Sequence, residues 1–105
     1  MTDFSLEDLD GLIAARRSAT AAKSYTRSLL DKGAVGCAKK FGEEAVEFVI
    51  AAALGETRSV TAEAADVLYH LLVALHACEV PLQDVLQELG RRTQTSGLEE
   101  KASRS

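Results

Sequence analysis

"AKKFGEEAVEFVIAAALG" (38–55) decides the fold. Its apolar residues recur at helical spacing over a stretch too long for a strand, and Gly55 ends it because glycine accepts the left-handed conformation of a helix terminus. The pattern predicts a helix from about Ala34 to Leu54. "TAEAADVLYHLLVALHAC" (61–78) reads the same way until Val80-Pro81 stops it, since proline has no amide hydrogen to continue the ladder. Toward the N-terminus, Ser5 with Asp8 three positions on forms a capping box, and Leu6, Leu9, Leu12 and Ile13 share one helical face up to about Arg17. "RRSATAAKS" (16–24) loses that period and reads as a loop, whereas "SYTRSLLDKG" (24–33) reads as a short helix capped by Ser24 and closed by Gly33. Pro81 suits the first turn of a last helix, with Leu82, Val85, Leu86 and Leu89 on one side as far as Arg92 or Thr95, and "SGLEEKASRS" (96–105) is a polar tail. No stretch alternates with the period of two that a strand requires. The chain is expected to be all-α, a bundle of four to five helices.

With 105 residues, 47% hydrophobic and 27% charged, residues 1–105 make one domain. Sixteen acidic against 12 basic residues leave a net charge of -4, and no basic run exceeds two residues, which excludes the electrostatic footprint of a nucleic-acid binder. Met1-Thr2-Asp3-Phe4 lacks the basic-then-apolar order of a secretory signal, and no run approaches the roughly 20 apolar residues of a bilayer span, so a cytosolic protein without membrane partners is expected. Cys37 and Cys78 have neither Cys-x-x-Cys spacing nor zinc partners and read as buried thiols.

The chemistry concentrates in the two strong helices. The first carries Glu43, Glu44 and Glu47, the second Glu63 and Asp66. At about 100° per residue the first three fall within an arc of roughly 100°, and the second two lie about 60° apart. Carboxylates on a helix are ordinarily solvated surface charges. Here Val46, Phe48, Val49 and Ile50 surround one stripe and Val67, Leu68, Leu71 and Leu72 follow the other, leaving no wide polar face. Without these five, 11 acidic residues face 12 basic ones, so the whole negative excess sits in one constellation. Oxygen donors without cysteine specify a hard divalent cation, Mg²⁺ with Mn²⁺ as a possible substitute. His70, one turn beyond Asp66, reads as a packing residue rather than a ligand, and His76 lies too far along the helix. Glycines 33, 36 and 42 make no phosphate loop, because no Gly-Lys-Ser/Thr follows and no strand precedes; Gly42 reads as a place where another helix or the substrate comes close.

Glu-Glu-x-x-Glu followed by Glu-x-x-Asp resembles the MazG-like all-α nucleotide pyrophosphohydrolases. "SYTRSLLDKG" (24–33), "KKFGEEAVE" (39–47), "EAADVLYHLLVAL" (63–75) and "SGLEEKASR" (96–104) together resemble the phosphoribosyl-ATP pyrophosphatase family, across roughly residues 5–104. The resemblance implies hydrolysis of 1-(5-phosphoribosyl)-ATP to 1-(5-phosphoribosyl)-AMP and pyrophosphate, the second step of histidine biosynthesis. It also implies Glu44, Glu47, Glu63 and Asp66 as metal ligands. Glu43 is then a spare carboxylate that supports a ligand from behind or orients water, and the general base stays open among the three glutamates. Lys39 and Lys40, a turn before the acidic cluster, and Lys101 and Arg104 in the tail are candidate cations for the triphosphate, or else ordinary solubilising charge. Ser24, Tyr25 and Thr26 are candidate hydrogen-bonding groups for phosphate or ribose, with Ser24 equally explained as a cap. Two other readings share the acidic stripes. One is a house-cleaning MazG-like nucleoside triphosphate pyrophosphohydrolase, which has no need of "SYTRSLL" (24–30) and "SGLEEKASR" (96–104). The other is a helical interaction module that binds metal structurally.

Outside their acidic turns, the strong helices present Val46, Phe48, Val49, Ile50 and Leu54, and Val67, Leu68, Leu71, Leu72, Val73 and Leu75, in most directions around their axes. Two short companions cannot cover that surface, so a homodimer is expected.

Overall fold

In the structure, a computed structural model that describes residues 2–20 and 24–94, local sequence signals set most helix ends. Ser5 accepts a hydrogen bond from the Asp8 amide while the Asp8 carboxylate accepts one from the Ser5 amide, and α1 runs from there over Leu6–Arg16. The Ser24 hydroxyl accepts from the Arg27 amide and opens α2, Tyr25–Leu30. Helix α3 spans Gly33–Leu54 and ends on Gly55 at φ +74°, the left-handed conformation that glycine adopts without a Cβ penalty. Helix α4 runs over Thr57–Ala77 and α5 over Leu82–Arg92, with Pro81 as the residue before the first turn. No strand occurs among the described residues. The chain is all-α, as the periodicity requires. The tail from residue 95 on, with Lys101 and Arg104, lies outside the described residues.

Details at the helix ends differ from the sequence reading. Gly33, at φ +75°, is the first residue of α3 rather than the terminator of α2, which already ends at Leu30. Helix α4 starts four residues earlier than the apolar period indicates, behind Glu56, which makes no side-chain cap hydrogen bond and so leaves no cap signature. Cys37 is buried, its thiol donating to the Leu29 carbonyl, but Cys78 sits exposed just past the end of α4.

The connection through Gly55 and Glu56 folds α3 back along α4, and these two helices pack together more extensively than any other pair. The core gathers at one end of this hairpin. Ile13 of α1, Leu29 of α2, Cys37 near the start of α3, Leu72 and Val73 of α4 and Leu82 of α5 are buried there, and Leu6, Leu9, Leu30, Leu71 and Leu86 pack around them. His76 and Asp10, Nε2 to Oδ1 2.8 Å, fasten α4 to α1 at the same end. The opposite end of the hairpin has no such cover among the described residues. Val46, Val49, Ile50 and Leu54 lie along the outer side of α3, and Val49 is 63% exposed.

Gly42 does not mark a close approach of another helix of this chain: among the described residues, a Cβ built there would meet nothing within 4 Å. Glycine in the interior of α3 therefore costs helix propensity without a packing return, and Gly42→Ala is expected to raise stability by about 1 kcal/mol. Thermal denaturation should show this as a rise of roughly 4–8 °C for a domain of this size. A fall in melting temperature would mean that something other than this chain's own helices occupies the space.

Candidate metal centre

The hairpin brings Glu44 of α3 against Glu63 and Asp66 of α4, with one carboxylate oxygen from each within 4.8 Å of the others. Glu44 is only 7% exposed, Glu63 half-buried and Asp66 open to solvent. Three like charges so close repel one another. Lys40 answers them in part: its Nζ lies 3.1 Å from Glu44 Oε1, one helical turn earlier on α3. Glu63 Oε2 is buried without a hydrogen-bond partner among the described residues, a cost that a bound cation removes. The donor set is all oxygen and graded from buried to exposed, which fits a hard divalent ion with one open side.

Glu47 flanks this trio from the next turn of α3. Its hydrogen-bonding contact with Glu44 raises its own carboxyl above the usual range, assisted by the charges of Glu44 and Glu63, while the same contact and Lys40 hold Glu44 below that range. Of the sequence candidates, Glu44, Glu63 and Asp66 converge, Glu47 adjoins them, and Glu43 is exposed and outside the trio.

Behind the carboxylates lies an aromatic layer. His70 is buried, and burial pushes its imidazole pKa down against the opposing charges of Glu44 and Asp66. It packs edge-on against Tyr69, ring centroids 5.0 Å apart, and stands outside the converging carboxylates. The Tyr69 hydroxyl is hydrogen-bonded to the buried Thr26 hydroxyl of α2. Tyr25 lies nearly parallel to Tyr69, centroids 6.4 Å apart and ring planes 16° from parallel.

Ser24 is buried and engaged as the α2 cap, and Thr26 is buried and engaged with Tyr69. Of the two lysines, Lys40 reaches the trio and Lys39 is exposed to solvent. Arg91 and Arg92 pair with Glu88 on α5, holding its carboxyl down at about 2. The sequence reading missed Tyr69. Its signal was available, because three residues after Asp66 on a helix is the next position on the same face.

The helical hairpin with its converging carboxylates makes this an all-α protein with a candidate site for a hard cation. Comparison with known proteins narrows the class. A family profile described as phosphoribosyl-ATP pyrophosphohydrolase matches residues 6–93. The chain is 57% identical over 104 residues to phosphoribosyl-ATP pyrophosphatase 1 of Bradyrhizobium diazoefficiens, covering 99% of this chain and 98% of that one. It is 57% identical over 100 residues to phosphoribosyl-ATP pyrophosphatase of Azorhizobium caulinodans, covering 95% and 92%. It is 52% identical over 104 residues to the enzyme of that name from Rhizobium meliloti, covering 99% and 97%. The chain belongs to the phosphoribosyl-ATP pyrophosphohydrolase family.

Proposed function

We propose that this protein hydrolyses 1-(5-phosphoribosyl)-ATP to 1-(5-phosphoribosyl)-AMP and pyrophosphate, the second step of histidine biosynthesis. Residues 1–105 act as one domain, in the cytosol, within a homodimer. The observation that carries the chemistry is the carboxylate trio with the unpartnered Glu63 Oε2, found in a chain of this family. No single helix among the described residues is long and apolar enough to cross a bilayer. The homodimer is supported by the uncovered apolar side of α3.

Glu44, Glu63 and Asp66 hold Mg²⁺, for which Mn²⁺ can substitute, and Glu47 completes the set. When bound, the ion supplies charge neutralisation for the triphosphate and activation of water, the two things that cleavage of a phosphoanhydride demands. The chain's own residues do the rest. Lys40, already at the edge of the trio, meets a phosphate oxygen, and Lys39 adds positive potential from the solvent side. Glu43, exposed beside Glu44, remains free of the metal to orient water. Thr26 ties α2 to α4 through Tyr69 and Ser24 caps the start of α2, which together set the position of Tyr25.

The test is pyrophosphate release from phosphoribosyl-ATP, ATP and dATP, with and without Mg²⁺. Mg²⁺-dependent release from phosphoribosyl-ATP with ATP a poor substrate is expected. Equal turnover of ATP and dATP would favour a house-cleaning hydrolase, and metal-dependent stability with no pyrophosphate release would favour a structural metal module.

A further inference from the structure

Tyr25 is a large ring left 59% exposed at the start of α2, yet it is held from beneath. Tyr69 lies parallel to it, His70 meets it edge-on with centroids 6.4 Å apart and planes at 88°, and the Thr26–Tyr69 hydrogen bond fixes the ring below. This aromatic stack borders the carboxylate trio. Tyr69 and His70, the two rings that Tyr25 meets, come three and four residues after Asp66 on α4. A rigid ring with one open face beside a nucleotide-hydrolysing centre is a stacking surface for a base.

We infer that Tyr25 is the surface on which the substrate's adenine stacks, and that it selects the N1-ribosylated base over the adenine of ATP. This rests on the substrate reading above. The chemical reason lies in the base. Substitution at N1 makes the adenine system a stronger base, so that at neutral pH it carries a positive charge spread over the ring, whereas the adenine of ATP is neutral. The electron-rich face of a tyrosine attracts a planar cation beyond ordinary stacking. The platform therefore rewards the modification that distinguishes the pathway intermediate from the cell's abundant ATP. This is a role different from the hydrogen bonding to phosphate or ribose that the sequence suggests for Tyr25.

The experiment compares wild type, Tyr25→Leu, Tyr25→Phe and Tyr25→Trp on phosphoribosyl-ATP, 1-methyl-ATP and ATP. Tyr25→Leu is expected to raise KM for phosphoribosyl-ATP by roughly tenfold or more, far beyond its effect on kcat, while Tyr25→Phe and Tyr25→Trp restore KM to within about threefold. Wild type should prefer 1-methyl-ATP to ATP, and Tyr25→Leu should lose that preference. The chain has no native tryptophan, so the fluorescence of the Tyr25→Trp variant reports binding directly, and saturable quenching by 1-methyl-AMP, stronger than by AMP, is expected. An unchanged KM in Tyr25→Leu, a retained preference, or no quenching overturns the inference. Failure of wild type to release pyrophosphate from phosphoribosyl-ATP defeats the substrate reading instead, and the fluorescence measurement still decides the platform.

Discussion

Asp66→Ala is expected to lower turnover on the order of a thousandfold while leaving the metal-free fold as stable as before or slightly more so. Asp66 contributes one of the three converging carboxylates, and it is the exposed one, so its removal opens no cavity. What it takes away, in the proposed centre, is a metal ligand whose share of charge stabilisation at the phosphoryl group would amount to several kcal/mol, where about 1.4 kcal/mol is a factor of ten in rate. What it relieves is repulsion with Glu44 and Glu63 in the absence of a cation. Two measurements check this together. Pyrophosphate release gives the rate, and thermal denaturation with and without Mg²⁺ gives the binding, since an ion at a hundred times its dissociation constant stabilises the native state by about 2.7 kcal/mol. The wild type should show the Mg²⁺-dependent shift and the variant little of it. Full activity with an undiminished shift would place the centre elsewhere.

Ile50→Asp is expected to break the proposed homodimer. Ile50 shares the outer side of α3 with Val46, Val49 and Leu54, a stripe at helical spacing that no part of the chain among the described residues covers. In a two-fold assembly the same stripe faces itself, so one substitution places two carboxylates in one apolar contact. The desolvation of each amounts to several kcal/mol, which weakens association a hundredfold or more. Light scattering at micromolar concentration should give twice the chain mass for wild type and the chain mass, or an unfolded species, for the variant. A wild type that is folded, active and of single-chain mass would remove the case for the dimer. The carboxylate trio is formed within one chain, so any activity lost by a folded monomeric variant measures what the assembly adds to the site.

Helix existence and most ends were legible because they are written locally: the Ser5–Asp8 box, the Ser24 cap, Gly55 and Pro81 each act within a few residues of themselves. The start of α4 was not, because "ETRSV" (56–60) has neither a short capping side chain engaged nor an apolar repeat, and the helix extends there on the strength of its own apolar period from Thr61 onward. The acidic stripes were visible as two sets. Which members meet depends on how α3 and α4 are rotated about their axes, and spacing along a single helix carries no information on the rotation of its neighbour. So Glu43 and Glu44, adjacent in sequence, part company, one to solvent and one into the centre. The exposure of Cys78 was hidden for a related reason: it comes after an apolar run, but the helix has already ended and the chain turns outward through Glu79 at φ 58°.

The two-residue connection at the end of α3 has a consequence for the changes the chain tolerates. Glu44 and Asp66 stand eleven positions either side of Gly55, and Glu47 and Glu63 stand eight either side of it. Inserting or deleting one residue within either arm would turn a carboxylate through about 100° and slide it about 1.5 Å along its axis. Chain length between Glu44 and Asp66 is thus specified as tightly as residue identity, while the segment between α1 and α2 carries no such constraint from the centre. The same arrangement makes every contact of the centre short in sequence. The 22 positions between Glu44 and Asp66 close a shorter loop, at a smaller loss of chain entropy, than the 66 between Asp10 and His76. During synthesis the carboxylates can therefore be brought together as soon as α4 has folded back, before α5 exists to complete the core beside them.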